Sequence, residues 1–137
     1  MNFLKKYSIY LFLLLTVVTL LLTLLPAKSL ASTKLFDYDK LGHFALFFAW
    51  TLSFGLTAFF KQWNRFTHLS VVLAASLIFG LAIEILQRWA PIGRSFEWSD
   101  WVADALGSLV AILILFLLRK NELGQSNSTV ITEKKLN

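Results

Sequence analysis

The stretch LSVVLAASLIFGLAIEIL, Leu69 to Leu86, holds a single ionisable side chain, Glu84. A helix crosses about 30 Å of hydrocarbon with about 20 residues, and lipid offers no partner to an unpaired backbone group. The stretch therefore reads as a membrane span. Three others resemble it: Tyr7 to Leu25 has no charge, Leu41 to Phe60 contains only His43, and Trp101 to Leu118 contains only Asp104. Short connections make consecutive helices antiparallel neighbours. The predicted fold is all-α, an integral membrane bundle of four transmembrane helices with short loops, the spans lying at about 7–25, 41–60, 69–86 and 101–118. Residues 1–6 form a cytoplasmic N-terminus, 7–118 the membrane domain, and 119–137 a polar cytoplasmic tail whose composition predicts disorder.

Composition supports this reading. Of 137 residues 57% are hydrophobic and only 15% charged, against about a quarter charged in soluble domains. The net charge of +5 would suit nucleic acid, but the 13 Lys and Arg fall in short segments between apolar runs. That is a bilayer distribution, so no nucleic-acid partner is expected. The absence of Cys removes disulfides, cysteine-based metal sites and thiol nucleophiles.

Lys5, Lys6, Lys61, Arg65, Arg119, Lys120, Lys134 and Lys135 fall on one side of the predicted bundle; Lys28, Lys34, Lys40, Arg88 and Arg94 fall on the other. The excess places both termini in the cytoplasm. Trp89, Trp98 and Trp101 gather at the opposite interface, where amphipathic rings favour the headgroup layer. The first span could be a signal peptide, with Lys5 and Lys6 ahead of it and Ser29-Leu30-Ala31 as a cleavage site. Its apolar run is longer than the usual 7 to 15 or so, which favours a retained helix ended by Pro26.

The polar residues inside the spans collect at one depth. Asp39 and His43 open the second helix, Glu84 and Gln87 close the third, and Asp100 and Asp104 open the fourth, all toward the non-cytoplasmic side. Faces agree with depths. Ser76, Gly80, Glu84 and Gln87 share an arc of about 80° at 100° per residue, and Asp100, Ala103, Asp104, Gly107 and Ala111 share one of about 100°. On the second helix the packing stripe is read as Gly42, Ala45, Ala49 and Ser53, with Asp39 and His43 beside it. A polar cavity is expected at the outer mouth, roofed by Arg88 to Ser99.

Each residue also has a structural reading. Asp39 and Asp100 can serve as N-caps, Glu84 can pair with Arg88 one turn on, Asp104 can touch headgroup water, and His43 can be a hydrogen-bonded packing residue. Their convergence favours a site, because ionisable groups inside spans are rare and usually face a cavity. Asp39 could orient the His43 imidazole as an acid–base pair, with Glu84 or Asp104 as a second carboxyl suited to proton transfer. Arg94 and Arg88 offer planar donors to an anionic lipid headgroup or envelope precursor, with Gln87, Asp100 and Ser95 as further ligand-binding groups. No cofactor is assigned. One His among carboxylates could take a hard divalent ion, but no spacing is specific for a metal, and none is assigned. There is no G-x-S-x-G, HExxH or Walker sequence, and no polar path leads on toward the cytoplasm.

Taken in order, Asp39-Lys40-Leu41-Gly42-His43-Phe44, Glu84 with Gln87, Arg94-Ser95, and Asp100 with Asp104 and Gly107 resemble the VanZ-like family over roughly residues 10 to 118. Its members are small bacterial multi-pass proteins, and the founding member is associated with reduced susceptibility to the glycopeptide teicoplanin. The resemblance implies cell-envelope work in the bacterial cytoplasmic membrane, with membrane lipids as partners, and supplies no reaction. Many relatives carry Asn where this chain has Asp104. Two functions stay open: binding or modification of an outer-leaflet lipid or surface glycan precursor, and a non-enzymatic accessory whose polar cluster is structural.

Overall fold

The structure is a computed structural model that describes residues 2–25, 39–60, 65–91 and 93–136, with side chains over 6–25, 39–60, 69–91 and 93–120. Among the described residues there are four helices: α1 (Asn2–Thr23), α2 (Asp39–Phe60), α3 (Arg65–Trp89) and α4 (Trp98–Leu136). Among the described residues there is no strand. Each helix holds a window long and apolar enough to cross a membrane, at Lys6–Thr23, Asp39–Phe60, Leu69–Trp89 and Trp98–Lys120. The protein is a multi-pass membrane protein of four spans. Pro26 and the Ser29-Leu30-Ala31 cleavage reading lie outside the described residues.

Three spans are longer than the sequence reading gave, the second by opening at Asp39. α3 runs on to Trp89, and the fourth span opens at Trp98, because Gln87 and Asp100 are buried among polar partners rather than held at the interface. α4 runs past the end of the fourth span, to Leu136. Extending an existing helix costs only propagation, without the unfavourable nucleus that an isolated segment must form.

Large apolar side chains such as Leu14, Leu21, Ile78, Leu106 and Leu113 stand exposed around the bundle. On a soluble protein such a belt would be a sticky patch, whereas here it is the lipid-facing surface. The polar side chains of the spans turn inward or back onto their own helices. Thr16, Thr23, Thr57 and Ser76 each donate to the carbonyl four residues earlier, at 2.7 to 2.9 Å, which satisfies a hydroxyl without water.

α2 is the central helix, packed most extensively on α4 and next on α1. A close backbone approach is at Gly107, where a Cβ would run into the Phe44 carbonyl oxygen and stand 3.0 Å from the Phe48 nitrogen. Only glycine lets the two backbones come so close. On the α1 side, Phe12 stacks on Phe54 with centroids 4.9 Å apart, and the Trp50 indole N–H donates to Thr16 Oγ1 at 2.9 Å. The two arcs read on α3 and α4 are the buried faces of those helices. The stripe read on α2 is not. Gly42 and Ala45 are exposed, and the buried line runs through His43, Phe47, Trp50 and Thr51. A small residue permits close packing, but a buried polar group requires a partner, and the requirement of His43 sets the rotation of α2.

Candidate functional site

The C-terminal ends of α1 and α3 meet the N-terminal ends of α2 and α4, and the polar residues concentrate there. The loop before α4 turns at Gly93, whose φ of +72° lies in the left-handed region that glycine tolerates. This turn brings Arg94 back over the bundle. Its side chain is nearly buried and bridges two elements, donating from Nη1 to the Thr23 carbonyl at 3.0 Å and from Nη2 to Asp39 Oδ1 at 3.2 Å. Gln87 Nε2 donates to the same Thr23 carbonyl at 2.8 Å. One of the carbonyls that α1 leaves unpaired at its end thus receives two side-chain donors.

Beneath this layer lies the histidine. His43 Nδ1 is 2.9 Å from Asp104 Oδ1, and its Nε2 is 3.9 Å from Asp100 Oδ2. Asp104, on α4, therefore orients the imidazole; Asp39, one turn earlier on the same helix, does not. The Arg94 guanidinium draws the Asp39 carboxylate aside. Glu84 does not pair with Arg88 either. Its Oε2 accepts the Glu97 backbone N–H at 3.0 Å, which places a carboxylate on the positive end of α4 from a neighbouring helix. Arg88 points outward and takes no part in the cluster.

Of the residues singled out in the sequence, Asp39, His43, Glu84, Gln87, Arg94, Asp100 and Asp104 come together. Asp39, Gln87, Gly93, Arg94, Ser95, Glu97 and Asp100 line a cavity of about 90 Å³. Among the described residues, five side-chain atoms are buried without a hydrogen-bond partner: Thr19 Oγ1, His43 Nε2, Glu84 Oε1, Asp100 Oδ1 and Asp104 Oδ2. Four of them belong to this cluster. The Lys40 ammonium stands 3.4 Å from Asp100 Oδ1 and 3.5 Å from Glu97 Oε2, as ion pairs from an exposed side chain.

Sequence reasoning missed Lys40 and Glu97. Their signal was only adjacency, since Lys40 follows Asp39 and Glu97 directly precedes α4. It also missed a deeper group. Thr51 Oγ1 lies 2.9 Å from Ser76 Oγ and 3.0 Å from Ser108 Oγ, all buried and from three helices. Ser108 is one turn below Asp104, so the polar column extends a turn further into the bundle than the carboxyls alone suggested. The spacing from Asp104 to Ser108 was the available sign.

The sequence model of the VanZ/LLP1 family matches residues 3–119. This chain belongs to the VanZ/LLP1 family. The match takes in every side chain of the cluster, so the polar site lies within the VanZ/LLP1 region and not in an appended segment. No curated protein and no solved structure matches the chain.

Proposed function

We propose that this VanZ/LLP1 protein binds the headgroup of an outer-leaflet lipid or surface glycan precursor in the polar cavity at the clustered helix ends. The lining of that cavity carries the reading: three carboxyl side chains, an amide, a hydroxyl and a nearly buried guanidinium converge at the clustered helix ends. Lining of this kind suits a hydroxyl-rich headgroup, whose O–H groups donate to carboxylates. A phosphate would have to share Arg94 with Asp39 and lie near Glu97 and Asp100. The outer leaflet follows from the excess of Lys and Arg on the other side. Chemistry on the bound headgroup would draw on His43 as acid–base group, oriented by Asp104, with Glu84 as a second carboxyl.

The test is lipid-resolved mass spectrometry of the protein purified from its membrane. A specific headgroup class is expected with the wild type and is lost in Arg94→Ala at equal folded abundance. Retention of bulk lipid only, identical in both, overturns the reading. Cells expressing His43→Ala should lose any change in envelope composition or teicoplanin susceptibility that the wild type confers.

A second reading has its own support: the bonds of Arg94, Gln87, Glu84 and His43 all run between different elements. On that reading the cluster is a lock, and the protein is a membrane accessory. Substitutions would then lower folded abundance first, with every phenotype scaling with abundance.

A further inference from the structure

Two groups at this end bring one histidine and two carboxyls together: Asp39, His43 and Asp100, and His43, Glu84 and Asp104. In each, one donor atom per residue lies within 4.8 Å of the others. They share a single imidazole, whose two nitrogens differ. Nδ1 is engaged by Asp104 at 2.9 Å. Nε2 is buried, has no hydrogen-bond partner and stands 3.9 Å from Asp100 Oδ2, while Asp100 Oδ1 also lacks one.

We propose that His43 Nε2, with Asp39 and Asp100, holds a divalent transition cation of the zinc or manganese class, and that Asp104 is the positioning residue for the imidazole. With Asp104 accepting from Nδ1–H, the Nε2 lone pair is free and aimed at Asp100. A carboxylate behind the imidazole is the usual arrangement at histidine metal ligands. Bonds of about 2.0 to 2.2 Å put the ligands of a trigonal or tetrahedral ion about 3.3 to 3.8 Å apart, so donors within 4.8 Å need to draw in by up to about 1 to 1.5 Å, within the reach of side-chain rotation at two carboxylates.

Charge points the same way. Asp39 and Asp100 stand on one side of His43, Glu84 and Asp104 on the other, and the cations that pair with them among the described residues are Arg94, turned to Asp39, and Lys40, on an exposed stem. The Lys40 ammonium stands where a metal ion would neutralise Asp100, and its flexible chain can swing clear. Asp39 and Asp100 also line the cavity of about 90 Å³, space for about three waters at about 30 Å³ each to complete the coordination. One imidazole with two carboxylates is a mixed donor set, which suits Zn²⁺ or Mn²⁺ over Mg²⁺ or Ca²⁺. The inner group is less available, because Asp104 Oδ1 is bound to the imidazole and Glu84 Oε2 to the Glu97 N–H. This inference does not depend on which headgroup the cavity takes.

The experiment uses the full chain in lipid nanodiscs, stripped with chelator and titrated with Zn²⁺, Mn²⁺ or Mg²⁺ alone. The wild type should take up one Zn²⁺ or Mn²⁺ per chain with a raised thermal midpoint, and bound Mn²⁺ should show coupling to an imidazole nitrogen in pulsed paramagnetic resonance. Asp100→Asn should abolish uptake, and Asp104→Asn should weaken it about 10- to 100-fold. Glu84→Gln should bind as the wild type does. Lys40→Met, which removes an exposed competitor, should bind up to about fivefold more tightly. No saturable uptake by the wild type, or bound Mn²⁺ without nitrogen coupling, overturns the proposal whatever the variants do. Uptake that survives Asp100→Asn but fails in Glu84→Gln overturns it as well.

Discussion

At the scale of single residues, the pairing of His43 with Asp104 decides most of the arrangement. Hydrogen bonds between membrane helices are worth about 0.6 kcal/mol on average and up to about 1.7, so this contact does not hold the bundle together alone. Stranding one partner is costlier: a buried polar group left unsatisfied costs about 1 to 3 kcal/mol, and more when charged. Asp104→Leu, which leaves Nδ1 facing a methyl group, should therefore destabilise the protein by about that amount, while Asp104→Asn, which keeps an acceptor there, should cost well under half as much. His43→Phe combined with Asp104→Leu should cost less than the two single changes added, because neither polar group is then stranded. A double-mutant cycle on reversible unfolding in detergent measures this. Additive costs would mean that the two side chains act independently, contrary to their 2.9 Å separation.

Between helices, the glycines separate a backbone contact from a side-chain contact. A side chain at Gly107 would run into the Phe44 carbonyl, whereas one at Gly55 would meet Leu115 Cδ1, the far end of a flexible side chain. Backbone cannot turn aside and a leucine methyl can. Gly107→Ala should lower stability by about 1 to 3 kcal/mol, the usual cost of overpacking, and Gly55→Ala should cost clearly less, because the Leu115 side chain can turn aside. Thermal unfolding of the two variants in one detergent compares them, and equal effects would contradict the close crossing of α2 and α4. These positions also show what the sequence made legible. Glu84, Gln87, Asp100 and Asp104 were readable because helical periodicity and antiparallel order fix both the depth and the face of a residue. The rotation of α2 was not, because it follows from His43 reaching Asp104 on another helix, and a one-helix pattern of small residues does not encode that. Arg94 and Arg88 looked equivalent for the same reason. Only the turn at Gly93 aims one inward, while the other extends to the surface.

For the whole molecule, the weakest attachment is α1, whose span is the least buried of the four. Its C-terminal end is tied by one carbonyl, that of Thr23, which takes donors from Gln87 and Arg94. Replacing both by Ala should release that end while Trp50 and Phe12 keep the middle of α1 in place. Spin labels at the exposed Leu21 and Ile85, on a chain with no native Cys, should then give a broader and longer distance distribution than in the wild type. An unchanged distribution would mean that lipid and aromatic packing alone hold α1.

The same background without cysteine decides which leaflet the site meets, and the headgroup reading turns on that. Neither the helices nor their packing distinguishes the two sides of a bilayer. The distribution of Lys and Arg does, but the excess is small, and Lys134 and Lys135 lie far from the last span, where charge acts weakly on orientation. Direct labelling is therefore the stronger measurement. A cysteine at Ser95, exposed beside the cavity, should react with an impermeant maleimide added to intact cells, and one at Lys120, exposed at the far end of the fourth span, should react only after permeabilisation. The reverse pattern would put Arg94, the cavity and the proposed cation site against the inner leaflet. The ligand would then have to be a cytoplasmic headgroup, and the carboxyl-rich lining would face the anionic surface of that leaflet, where repulsion disfavours the very lipids most abundant there.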